Sequence, residues 1–221
     1  MAQDLWKIEK LYDSVAKEYA EEFAGEHERK PKDQEVLRRF SQMIGDRRPV
    51  WDFGCGCGET SRYLRKLGME ISGLDLSEKM LREARAKHPR INFRRGNILD
   101  LKFKDNSIAG IVAFYAIVHF TKDQVRKALG EMFRVLVPGG LLLITYHIGD
   151  ETIHMEEFLG KKIDIEFMLF SSGFIFGSLE ETGFEGVKII EREPYPDIEY
   201  ESRRGYAFAV KPAVQDQSTL S

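Results

Sequence analysis

The chain has 221 residues, 43% of them apolar and 31% charged, which suits one globular domain of ordinary size and excludes a disordered chain. Lys and Arg total 33 against 36 Asp and Glu, a formal charge of -3, so no basic excess exists to neutralise a phosphate backbone, and nucleic acid is not expected as a partner. No apolar run approaches the ~20 residues needed to span a bilayer, and MAQDLWKIEK does not read as a signal peptide, so a cytoplasmic protein without membrane contact is expected.

From Leu5 to Phe23, apolar residues fall at steps of three and four, which predicts an amphipathic helix over about 4–24. Residues 24–34 read as a polar loop, and Val36, Leu37, Phe40 and Ile44 mark a second short helix. The mixed charges of residues 26–39 read as a solvated face. A strand at 49–53 then runs into GCGCG, with a helix at 59–67. A strand at 69–74, a helix capped by Ser77 and a strand at 91–94 follow. Next come an apolar run at 107–114, a helix at 122–136 and a buried strand at 141–146. Strands alternate with helices, so a parallel sheet covered on both faces is predicted.

Residues 148–170 show no clear period and are expected to form a cap over a substrate. A helix near 172–182 and strands at 184–192 and 204–210 complete a single domain over 1–211, with a disordered tail at 212–221. The two cysteines, Cys55 and Cys57, are too close for an unstrained disulfide, and the five histidines lack zinc spacing, so no metal is expected.

The sharpest feature is DFGCGCG between a buried strand and a helix. Its glycines let a ligand approach the backbone, and the helix start offers free N–H groups. Asp75 follows at the end of the next strand, where a carboxylate can accept from both hydroxyls of a ribose. A nucleoside cofactor is implied. The spacing fails the Gly-x-Gly-x-x-Gly template of nicotinamide enzymes at Glu59, which would repel a pyrophosphate.

The stretches VWDFGCGCG, GLDLSEKML, GNILDLKF, VAFYAIVHF and MFRVLVPGGLLLITYH together resemble the class I S-adenosylmethionine-dependent methyltransferases, the resemblance running from about Tyr12 to Val210. It implies a doubly wound Rossmann-like fold with a mostly parallel seven-stranded sheet, order 3-2-1-4-5-7-6, the last strand antiparallel. It implies S-adenosylmethionine as cofactor, with Asp52 at its methionine end, Gly54, Gly56 and Gly58 lining it, and Asp75 on the ribose. Leu76 would pack on the adenine, and Asn97 and Ile98 would read and cover its edge. Asn97 replaces the aspartate of many relatives, but its amide oxygen can still accept from the adenine amino group. Phe114 is counted with the cofactor contacts, and so is Tyr19, because YDSVAKEY resembles the N-terminal helix of small-molecule methyltransferases.

Ligands of a doubly wound sheet bind beyond the carboxyl ends of the strands, which makes Tyr115, His119 and His147 the acceptor-side candidates. His119 and His147 are also the candidate general bases, although a lone histidine is as often structural. The expected activity is methyl transfer to a small-molecule acceptor by in-line displacement. A cofactor-binding protein without catalysis and an NAD-dependent oxidoreductase are the competing readings, and the sequence leaves the oligomeric state open.

Overall fold

Unbroken apolar runs become strands buried on both faces, and the computed structural model, which describes residues 4–213, places three of them at the centre of its sheet. In chain order the elements are α1 (Leu5–Glu22), α2 (Pro31–Ile44), β1 (Val50–Phe53), α3 (Glu59–Lys66), β2 (Ile71–Asp75), α4 (Glu78–Lys87), β3 (Asn92–Arg95) and β4 (Ile108–Ala113). There follow α5 (Lys122–Val135), β5 (Leu136–Ile148), β6 (Thr152–Phe158), β7 (Lys161–Met168), α6 (Ser172–Thr182), β8 (Glu185–Arg192) and β9 (Arg203–Val210).

Seven strands form one sheet in the order β3-β2-β1-β4-β5-β9-β8. The first five are parallel, and β9 runs antiparallel to both β5 and β8. This is the predicted order. The chain reverses its winding between β1 and β4, so a crevice opens beyond the carboxyl ends of those strands. Alternate strand residues serve the two faces: Ile111, Leu142 and Ile144 pack with α5 and α6, while Val112, Leu141 and Leu143 pack with α2 and α3.

Local chemistry sets the helix ends. Ser77 Oγ accepts from Met80 N at 3.1 Å and caps α4 as expected. Thr121 and Gln124 form a reciprocal capping box on α5. Two segments differ from expectation. The polar loop of 24–34 contains a 3-10 turn at Glu26–Arg29, and α2 starts early because Pro31 suits a first helical turn, where its missing N–H costs nothing. Residues 148–170 are not irregular: β6 and β7 pair antiparallel as a hairpin outside the main sheet. Its turn places Leu159 at φ 49° and Gly160 at φ 74°.

The hairpin is tied to the crevice rather than to the sheet edge. Met168 N donates to Val118 O at 2.7 Å and Phe170 N to His147 O at 2.9 Å. Helix α1 lies over the same opening, anchored where Asp13 accepts from Ser77 Oγ at 2.6 Å and Lys79 N at 3.2 Å. The tail predicted at 212–221 falls outside the described residues from 214 onward, as do residues 1–3. Among the described residues no helix is long and apolar enough to cross a membrane.

Candidate active site

A cavity of about 350 Å³ occupies the crevice, roofed by α1 and by the β6–β7 hairpin and bounded on one side by residues 198–200. Its floor is the glycine turn. Gly54 N and Cys55 N both donate to Leu74 O, at 2.7 and 3.1 Å, which folds the loop back on β2. Gly54 is required there: at φ 73° a Cβ would stand 2.5 Å from that of Ala116. Asp75 accepts from Gly56 N through Oδ2 and from Ser77 N through Oδ1, each at 2.8 Å. Each oxygen keeps a second lone pair for a ribose hydroxyl. Burial raises the Asp75 carboxyl above its ordinary value, against the pull of those N–H groups.

Leu76, Asn97, Ile98 and Phe114 line the cavity as predicted positions for the cofactor. Asn97 Oδ1 already accepts from Leu99 N at 2.8 Å, so one lone pair is committed to a turn and the other remains for a ligand. Tyr19 also lines the cavity, edge-on to Tyr12 at 6.0 Å and against Phe23 at 4.3 Å.

Two motif residues do not reach the wall. Asp52 is fully buried beneath the turn, where Oδ2 accepts from Ser61 Oγ at 2.6 Å and Oδ1 has no partner. Burial pushes this carboxyl up to about 7, against the Ser61 hydrogen bond and His27. Gly58 stands at φ 85° before α3, and a Cβ would strike the Phe93 ring at 2.7 Å. Its work is close packing rather than ligand contact.

The reading of 26–39 as a solvated face holds for Glu28, Arg29, Glu35 and Arg38, which are exposed, but not for the residues that turn inward. His27 and Asp33 are fully buried, and Glu26 and Lys30 turn into the cavity beside Tyr19 and Thr60. Lys30 Nζ lies 2.8 Å from Glu26 and 3.8 Å from Glu199. The four-residue spacing of Glu26 and Lys30 was the available signal, but it marks a pair on either a wet or a buried face.

The three acceptor-side candidates line the same cavity. His119 Nδ1 lies 2.9 Å from Glu166 O, a pure acceptor, so Nδ1 carries the proton and Nε2 accepts from the Tyr12 hydroxyl at 3.0 Å. Sequence reasoning missed Tyr12 as its partner because the two are 107 residues apart. Burial lowers His119 to about 4. Burial, with Arg204, Lys30 and Arg192 nearby, lowers His147 to about 3. Both imidazoles are therefore neutral at pH 7. Tyr115 lies 5.0 Å from His147, ring to ring. The hairpin contributes Ile153, Met155, Phe158 and Phe167 as an apolar wall.

A family model described as a methyltransferase domain matches residues 50–140. The demethylmenaquinone methyltransferase of Chlorobaculum parvum is 33% identical over 105 residues, which cover 47% of this chain and 43% of that one. The malonyl-[acyl-carrier protein] O-methyltransferase of Pectobacterium atrosepticum is 36% identical over 93 residues, covering 42% and 36%. The matches thus span under half the length of these curated relatives. A solved S-adenosylmethionine-dependent methyltransferase from Methanosarcina mazei superposes with a TM-score of 0.71 at 16% identity, covering 80% of this chain and 97% of that one, a likeness of fold. The matched residues run from β1 through the glycine turn, Asp75 and Asn97 to the glycine pair in β5, so this segment is similar to a methyltransferase domain and the fold is that of solved S-adenosylmethionine-dependent methyltransferases.

Proposed function

We propose that this protein transfers the methyl group of S-adenosylmethionine to a small-molecule acceptor by in-line displacement. The supporting observation is one cavity lined both by the Asp75–Gly56 cradle and by Tyr115, His119 and His147. When bound, the cofactor supplies an electrophilic methyl on a sulfonium, so little acid or base catalysis is asked of the protein.

The chain's own residues bind, orient and exclude water. Asp75 takes the ribose hydroxyls, Leu76 and Ile98 sandwich the adenine, and Asn97 meets its edge. Glu26 and Lys30 form a charge pair of opposite sense to an amino-acid zwitterion, and they are assigned to the ammonium and carboxylate of the methionine portion. Tyr19, with α1, covers the site. His119 is a positioning residue: its Nε2 takes the Tyr12 proton and fixes that hydroxyl. His147 is the histidine left to touch the acceptor. Neither is a strong base at these depressed values, so orientation carries more of the rate than proton removal. A concave site with an apolar hairpin wall and the absence of a basic excess favour a metabolite over a polymer.

The activity is tested by following S-adenosylhomocysteine release across panels of phenols, amines, thiols and carboxylic acids. Donor binding without turnover of any acceptor would favour a cofactor-binding protein that does no chemistry. The Lys30 assignment has its own check. Lys30→Met should weaken S-adenosylhomocysteine by about tenfold or more while leaving 5′-methylthioadenosine, which lacks the amino-acid portion, within about twofold. Equal loss of both would make Lys30 a packing residue.

A further inference from the structure

One end of the cavity is polar, and the cofactor contacts leave it unused. Tyr115 stands just past β4 at φ 53°, a left-handed conformation that is costly for a tyrosine. Its N–H donates to Thr145 Oγ1 at 2.8 Å, which pins it there. The Tyr115 hydroxyl is buried and has no hydrogen-bond partner, although the residue lines the cavity. Burial holds the phenol far above its ordinary value, so it keeps its proton and can donate.

His147 supplies a second donor. Ser202 Oγ accepts from Arg204 Nη1 at 2.6 Å and lies 2.7 Å from His147 Nδ1. The serine oxygen has a second lone pair, so the contact admits either tautomer; with Ser202 donating to Nδ1, the imidazole proton stands on Nε2. Arg204, only 3% exposed, holds its guanidinium 5.9 Å over the Tyr115 ring.

The nearby carboxylates are engaged by cations, although Glu199 also lines the cavity. Glu199 gives one oxygen to Arg192 Nη1 at 2.5 Å and the other to Arg192 Nη2 at 2.9 Å, with Arg204 at 3.5 Å. Asp33 is taken by Arg192 at 3.1 Å and by the Tyr206 hydroxyl. The cavity therefore meets the Tyr115 hydroxyl, His147 and Arg204 beside a Glu199 carboxylate whose charge Arg192 and Arg204 offset, and the hairpin wall is apolar.

We infer that this end of the cavity receives a negatively charged oxygen group, a carboxylate being the simplest, on an acceptor whose remainder is apolar. The inference rests on the reading of the cavity as a methyl-transfer site, and it names the acceptor's chemical class. Two fixed donors and a cation reward a carboxylate over an uncharged isostere of the same shape, because hydrogen bonds to an ionised oxygen are the stronger ones. The side chain of Tyr115 is then a specificity determinant, and its strained backbone serves to aim it.

The test is calorimetry on the protein saturated with S-adenosylhomocysteine, titrated with 4-phenylbutyrate and octanoate, each against its primary amide. At least one of the two acids should bind about tenfold or more tightly than its amide. Tyr115→Phe and His147→Gln should each remove most of that preference while leaving S-adenosylhomocysteine affinity within about twofold. Equal binding of acid and amide, binding of neither, or a preference that survives both substitutions would overturn the carboxylate subsite. Failure of S-adenosylhomocysteine itself to bind would instead strike the methyl-donor reading beneath it.

Discussion

A carboxyl group with no solvent must keep its proton or collect donors, and Asp52 collects one, Ser61 Oγ. Its value of about 7 against 3.8 in the free side chain means that the folded protein holds this proton more tightly than the unfolded chain does. Stability from this group is accordingly greatest at low pH and falls as pH rises from about 4 to about 7. His119 and His147 act in the opposite sense: with values of about 4 and about 3 they favour the folded state above the ordinary histidine value and lose that contribution as pH falls below it. Comparison with Asp52→Asn isolates the aspartate. Between pH 5 and pH 8 wild type should lose about 2 to 3 kcal/mol relative to the variant in denaturant unfolding. A constant difference would place the proton elsewhere. Asp75 is the complementary case, a half-buried carboxyl group with lone pairs to spare. Asp75→Asn should weaken S-adenosylhomocysteine by about ten- to a hundredfold, through loss of charge-assisted bonds to the ribose, as read by calorimetry. The glycine turn and Asp75 were legible because backbone freedom and a spaced acid are written locally. Lys30 and Glu26 were not, because Glu199 and the loop that bury them arrive about 170 residues later.

The two elements that roof the cavity differ in how plainly they were written. Helix α1 announces itself through its apolar steps, and Ile8, Leu11, Val15, Ala16 and Ala20 are the residues it buries. The hairpin carried a signal too: Ile163, Ile165 and Phe167 alternate with Asp164 and Glu166, the period of a half-buried strand. Mixed charges obscured it, and the turn at Leu159–Gly160 lacks the Asn-Gly or Asp-Gly pair that usually marks a two-residue hairpin. The elements meet through Ile8, Leu11 and Ile165, with exposed ion pairs Lys7–Asp164 at 3.2 Å and Lys161–Glu18 at 3.0 Å contributing little. The bond from Tyr12 to His119 is different, since it is shielded from full solvent exposure and His119 is itself held to β7. Tyr12→Phe should speed release of S-adenosylhomocysteine by about fivefold, the equivalent of about 1 kcal/mol, in a stopped-flow displacement experiment. An unchanged rate would mean that α1 is held closed by its apolar face alone.

At the scale of the molecule, strand order does what no single residue does. Reversal of winding between β1 and β4 brings the ends of both together, so the glycine turn, Asp75 and Tyr115 share one cavity although they are spread over some sixty residues. Alternation of strands and helices was enough to predict a covered parallel sheet. The antiparallel placement of β9 between β5 and β8 came from family resemblance, because periodicity is silent on strand direction. That placement matters: it delivers Arg204, at the start of β9, to the same end of the sheet as His147, at the end of β5. The account as a whole therefore stands on the cavity holding a methyl donor. It is tested most directly by calorimetry of the purified protein with S-adenosylhomocysteine and NAD in parallel, for wild type and Asp75→Asn. Micromolar binding of S-adenosylhomocysteine, weakened in the variant, with no heat from NAD is the predicted result. Binding of NAD alone, or S-adenosylhomocysteine affinity indifferent to Asp75, would contradict it.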